Sequence, residues 1–174
     1  MRQRNILSFL AGGDRRTIGQ SDKVAAMASD DPKLFSSLIA GLWSADPLVR
    51  MRAADAAEKV TREHPELLRP HKKELLGLMS EATERELRWH LAVMIPRLPL
   101  NARERQIAIS SLTRYLEDRS SIVKTFALQG LGDLAQKEPS VRPKVVETLR
   151  EATRNGTPAM KARSRKLLVR LERI

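Results

Sequence analysis

Basic side chains recur in this 174-residue chain at a spacing that would let them act together. Arg50, Arg88, Lys124 and Lys161 stand 38, 36 and 37 residues apart, and Arg52, His90, Phe126 and Arg163 repeat the pattern two residues later. Arg85 and Lys166 add two further cations, and Trp89 lies between Arg88 and His90. A guanidinium carries five donors in a planar fork that matches carboxylate or phosphate. An indole beside it adds an anchoring or stacking surface. The chemistry written here is recognition of an anionic partner, with Arg50, Arg52, Arg85, Arg88, Trp89, Lys124, Arg163 and Lys166 as the candidate contacts.

Catalytic chemistry has no comparable signature. There is no cysteine, which removes disulfides, thiolate nucleophiles and sulfur-ligated zinc. The chain has no His-Glu-x-x-His, no P-loop, and no Gly-x-Gly-x-x-Gly after a strand. His64, His71 and His90 lack the spacing of a metal set, so neither a metal nor a cofactor is expected. The Gly130-Leu131-Gly132 run falls inside a helical pattern and reads as close helix packing. Asn155-Gly156-Thr157 matches a glycosylation acceptor, but it reads better as a turn before a Thr-capped helix.

Charge points the same way as the candidate contacts. The net charge is +11, and residues 84–174 hold 19 Lys/Arg against 10 Asp/Glu, whereas residues 1–83 hold 13 against 11. A positive field of this kind favours nucleic acid, acidic proteins or anionic lipid surfaces and does not choose among them. No apolar segment approaches the ~18 residues of a membrane span. The opening MRQRNILSFLAGG has an apolar run too short and broken for an export signal, so it reads as a first helix, and the chain is expected in the cytoplasm.

Elements that could position these side chains are all helical. Aromatic residues make up 3% of the chain, and no segment of strand length alternates polar with apolar. Val49, Leu87, Val123 and Met160 open four similar helices, and the same register returns Val60, Leu98, Leu134 and Leu171 eleven residues later. Asp46 with Pro47 forms an N-cap and first helical position, and Asn101, Ser120 and Thr157 open later helices. The pattern predicts helices near 3–10, 22–28, 32–43, 47–63, 66–81, 84–98, 102–117, 121–137, 140–152 and 158–172. Pro96 should kink or end its helix by removing the bond to Ala92.

A period of this length, with two helices per unit, is the signature of an α-solenoid. The segment DRSSIVKTFALQGLGDL at 118–134, and the similar 46–60, resemble HEAT repeats, closest to the short HEAT-like repeats of many bacterial proteins. That resemblance implies one all-α, right-handed solenoid domain over 1–174. Residues 30–174 would form about four HEAT-like helix pairs and 1–29 a degenerate capping unit. It also implies an inter-repeat ladder that joins a basic residue in the Arg50 register to a preceding Asp, Asp118 for Lys124. These residues suit either that ladder or ligand contact.

On a helical wheel with Val49 at zero, the apolar stripe centres near ~25°, with Arg50 near ~100° and Arg52 near ~300°. Arg52 is thereby expected at the rim of a groove lined by second helices, and Trp89 either between neighbouring repeats or facing the groove. The resulting expectation is a non-enzymatic binding or scaffold module holding an acidic protein or segment on a basic concave face. Nucleic-acid binding through backbone electrostatics is the alternative. HEAT-like alkylpurine DNA glycosylases share this architecture, but Val93 stands where that family places an acidic residue after a groove tryptophan.

Overall fold

In the computed structural model, which describes residues 5–173, every regular element is helical. No helix among the described residues is long and apolar enough to cross a membrane. The chain divides into two compact units, Met1–Glu74 and Leu75–Ile174.

The first unit is organised by alanines. Its helices are α1 (Ser21–Ser29), α2 (Pro32–Ala40, continued by a 3-10 turn Gly41–Trp43) and α3 (Pro47–Glu63). A 3-10 stretch, Pro65–His71, then leads into α4 (Lys72–Glu81). Asp31 and Asp46 cap α2 and α3 by accepting the N–H groups of Lys33 and Leu48, each at 2.8 Å. Proline follows each cap, where its missing N–H costs nothing. Ala53, Ala54, Ala56 and Ala57 of α3 are fully buried, and their small volume lets α1 and α2 pack directly on it. Lys59 then locks α1 to α3 by pairing with Asp22 at 2.5 Å and Asp55 at 2.6 Å.

The start of the chain differs from the expected helix 3–10. Positions 3 and 4 lie outside the described residues, and Ile6–Phe9 form a single 3-10 turn. Gly12 and Gly13 follow with φ of 75° and 82°, a left-handed backbone that favours glycine and cannot continue a right-handed helix. Ile6 and Leu10 remain buried, so this segment is packed although it is not a helix.

The second unit holds α5 (Arg85–Met94), α6 (Ala102–Tyr115), α7 (Ser121–Lys137), α8 (Arg142–Asn155) and α9 (Pro158–Glu172). Asn101 opens α6 through a capping box with Glu104, and Ser120 and Thr157 cap α7 and α9. Helix α6 packs on α7 and α8 on α9, while α5, α7 and α9 pack side by side in that order. The expected register is buried at Leu87, Val123, Leu98, Leu134 and Leu171, whereas Met160, its opening residue in the last helix, is half-buried.

Proline and glycine set the α5–α7 spacing together. Pro96 ends α5, which finishes in a 3-10 turn, Ile95–Arg97, because proline cannot donate to the Ala92 carbonyl. Gly130 of α7 sits against that carbonyl, and a Cβ there would overlap it. On the other side of α7, a Cβ on Gly132 would stand 2.8 Å from Leu167 Cδ2 of α9.

Gly130→Ala is therefore expected to lower stability by about 1–3 kcal/mol through overpacking. Gly77 of α4 has nothing within 4 Å of an added Cβ. Gly77→Ala should instead raise stability by roughly 0.5–1 kcal/mol through helix propensity. Thermal melting of the two variants checks both signs.

Candidate functional site

Arg52 lies elsewhere than the helical wheel placed it. It is 2% exposed, among the most buried large side chains of the protein. Its Nη1 donates to the Leu10 and Gly12 carbonyls at 2.8 and 2.6 Å, its Nη2 to Asp14 O at 2.9 Å, and its Nε to Thr17 O at 3.3 Å. No carboxylate among the described residues pairs with it. The exposed 11–20 loop is folded around this guanidinium, so Arg52 is a structural hub rather than a groove-rim contact. The wheel failed because it fixes a direction about one helix axis and says nothing of what lies there.

Arg50 is half-buried and its Nη1 donates to the Ser44 and Ala45 carbonyls at 2.6 and 3.1 Å. These acceptors are main-chain groups of the turn that opens its own helix.

In the second unit, Arg88 pairs with Asp118. Arg88 Nη1 meets Asp118 Oδ2 at 2.5 Å, its Nε donates to Ala82 O at 2.8 Å, and its guanidinium carbon lies 5.3 Å from the Tyr115 ring centroid. The expected pairing of Asp118 with Lys124 is reduced to a through-space attraction. Burial by itself would raise the Asp118 pKa. The Ser120 N–H at 2.7 Å, the Arg88 guanidinium and the Lys124 charge outweigh it and hold the carboxyl below its ordinary value. Tyr115, pushed upward mainly by burial, stays neutral and donates a hydrogen bond to Met79 O at 2.6 Å.

Trp89 is half-buried and stacks on Phe126 of α7, with centroids 5.0 Å apart and planes at 27°. Arg163 of α9 continues the row from the other side, its guanidinium carbon 5.4 Å from the Phe126 centroid and its Nη1 2.6 Å from Gln129 Oε1. Gln129 donates to Asp133 at 2.8 Å, and Asp133 accepts from Arg170 at 2.6 Å. Indole, benzene and guanidinium thus run across α5, α7 and α9, beside a polar chain that ties α9 to α7. Gln129, Asp133 and Arg170 were not among the expected site residues. Their only sequence signal is i, i+4 spacing on α7 and i, i+7 spacing between Arg163 and Arg170 on α9.

Two of the three remaining candidates are more accessible. Arg85 has 59% of its side chain exposed while contacting Glu86 at 2.9 Å, Lys166 is exposed, and Lys124 is half-buried. The structure thus brings Trp89 and Arg163 together through Phe126 and sets Arg88 and Lys124 around Asp118. Arg52 is withdrawn into the first unit. Among the described residues, no cluster of three or more His, Cys, Asp or Glu is placed to hold a metal ion.

No family model matches the chain, and no curated protein matches it significantly. Among solved structures it is similar to the crystal structure of an engineered protein, with a TM-score of 0.63 over 97% of this chain and 78% of that one, at 15% identity. At that identity the likeness bears on the fold alone.

Two outcomes follow from this geometry. Arg52→Ala should destabilise by about 1–3 kcal/mol, because the inward-turned carbonyls lose their donors, whereas Arg85→Ala should stay within about 0.5 kcal/mol; denaturant titration measures both. Because the Asp118 carboxyl has a lowered folded-state pKa, its stabilisation is fully present above the unfolded value near 3.8 and is lost as pH falls through the lower folded value. The gap in melting temperature between wild type and Asp118→Asn should be constant at neutral pH and narrow in that acidic window.

Proposed function

We propose that the chain is a right-handed α-solenoid of HEAT-like helix pairs that serves as a non-enzymatic binding module for an acidic protein or segment. The observation that carries this reading is the ordered stacking of α5, α7 and α9, on which Trp89, Phe126 and Arg163 lie in contact although Trp89 stands one position before their register. Helices spaced by 36 and 37 residues that pack on one another in order are what a solenoid consists of. The basic excess of residues 84–174 gives the stack its preference for anions.

The structural roles of the other cations narrow the proposed contacts. Arg88 is neutralised by Asp118, and Arg163 is held by Gln129, so Arg85, Lys124 and Lys166 carry the accessible charge. The open part of Trp89 supplies the apolar anchor. Stacked arginines still have outward donors after one or two bonds, which leaves Arg163 as a secondary contact. A half-buried aromatic beside accessible cations suits a protein segment that combines carboxylates with an apolar side chain.

Titrating the protein with an acidic peptide and with a duplex oligonucleotide over a range of salt tests this reading. The expected result is peptide binding that Lys166→Glu weakens several-fold and Trp89→Ala weakens by about 2 kcal/mol or more. Duplex binding with affinity falling in log salt at about −0.9 per phosphate contact, and no peptide binding, would replace the reading with a nucleic-acid one.

A further inference from the structure

The 11–20 loop has a construction that a mere connection does not need. All ten residues are exposed, yet one buried guanidinium holds the loop and its leading edge at four carbonyls, those of Leu10, Gly12, Asp14 and Thr17. Gly12, Gly13 and Gly19 all take positive φ. A Cβ on Gly19 would stand 2.9 Å from Arg52 Cζ, so the chain passes directly over the cation. Asp14 closes the tip, its carboxylate accepting the Arg16 N–H at 2.8 Å and its carbonyl the Thr17 N–H at 3.3 Å.

Turning the carbonyls inward fixes what the loop shows to its surroundings. The N–H groups of Gly12 and Gly13 have no partner among the described residues, Arg15 and Arg16 are exposed, and Arg16 has 91% of its side chain accessible. The outer surface is therefore rich in donors and carries two cations, with the 61% exposed Asp14 carboxylate 4.0 Å from Arg16 Nε. Ile18, 43% exposed, stands beside the two arginines. Ordering ten residues costs backbone entropy, and a loop already ordered by the fold, displaying cations next to an apolar side chain, has little left to lose on binding.

We propose that the 11–20 loop is a preformed recognition loop whose Arg15, Arg16 and Ile18 dock an acidic protein segment, with Arg52 as the positioning residue. It rests on the reading of the partner as an acidic protein, but it uses a surface in the first unit, separate from the α5, α7 and α9 row. The exposed isoleucine favours a protein over nucleic acid, because a phosphate backbone offers it no apolar counterpart.

The test uses the full chain, isotopically labelled, titrated with a synthetic peptide of glutamates interrupted by leucine while backbone amide signals are followed. Saturable shifts over residues 12–18 are expected. Charge reversal, Arg15→Glu with Arg16→Glu, should weaken the response at least tenfold at unchanged melting temperature, and Ile18→Ser several-fold. Arg52→Lys should speed amide exchange over 12–18 and weaken the peptide at least fivefold with both exposed arginines intact. Gly19→Ala loosens the loop without deleting the hub and should act in the same direction, which keeps the positioning role testable if Arg52→Lys does not fold. Loop signals that do not move, equal affinity for the charge-reversed protein, or a duplex oligonucleotide that shifts the loop more than the peptide does would overturn the proposal. Peptide binding lost in Lys166→Glu, with loop signals silent throughout, would support the α5, α7 and α9 surface while overturning this one.

Discussion

The second unit depends on how closely α7 approaches its two neighbours. Gly130 rests on the Ala92 carbonyl that Pro96 leaves without a helix partner, and Gly132 receives Leu167. One helix thus meets α5 through a backbone group and α9 through a leucine, both at glycines. That proximity sets Trp89 at stacking distance from Phe126 and Phe126 within reach of Arg163. It also lets Lys137 of α7 donate to the Pro96 carbonyl at 2.5 Å, closing the frayed end of α5.

Several arginines in this protein act as internal donors. Arg52 serves carbonyls, Arg88 a carbonyl and a carboxylate, Arg105 the Glu138 carboxylate at 2.9 Å, and Arg170 that of Asp133. Arginine suits this work because its charge is delocalised, weakly hydrated and presented through several fixed donors. A net charge of +11 is consequently a poor count of the charge available to a partner. The accessible part is set by which side chains the fold leaves exposed, among them Arg85 and Lys166 in the second unit and Arg15 and Arg16 in the first.

Two kinds of surface result, and they differ in how they are kept in shape. The row on α5, α7 and α9 is fixed by core packing beneath it, so its geometry is as stable as the unit itself. The 11–20 loop has no helix of its own and is fixed by one guanidinium. Its order can change without unfolding the helices that carry it, because exposed loops open at low local cost.

Helix positions were legible in the amino-acid order because their causes are local. Asp46 with Pro47, Asn101 with Glu104, Ser120 and Thr157 each satisfy backbone donors within three residues, and Pro96 ends α5 through its own missing N–H. The apolar register, from Leu87 to Leu134, follows from the same 3.6-residue geometry. The close packing at Gly130 and Gly132 was legible too, since glycine inside a helical run has few other uses. Side-chain partners were not. Arg52 binds carbonyls some 35–42 residues away, and every residue has a carbonyl, so no residue type marks the acceptor. Asp118 pairs with Arg88 across 30 residues rather than with Lys124 across six, because the neighbouring helix brings a planar fork within hydrogen-bond reach. Local chemistry decided where the helices are, and only the packing of one helix on the next decided which charges they hide.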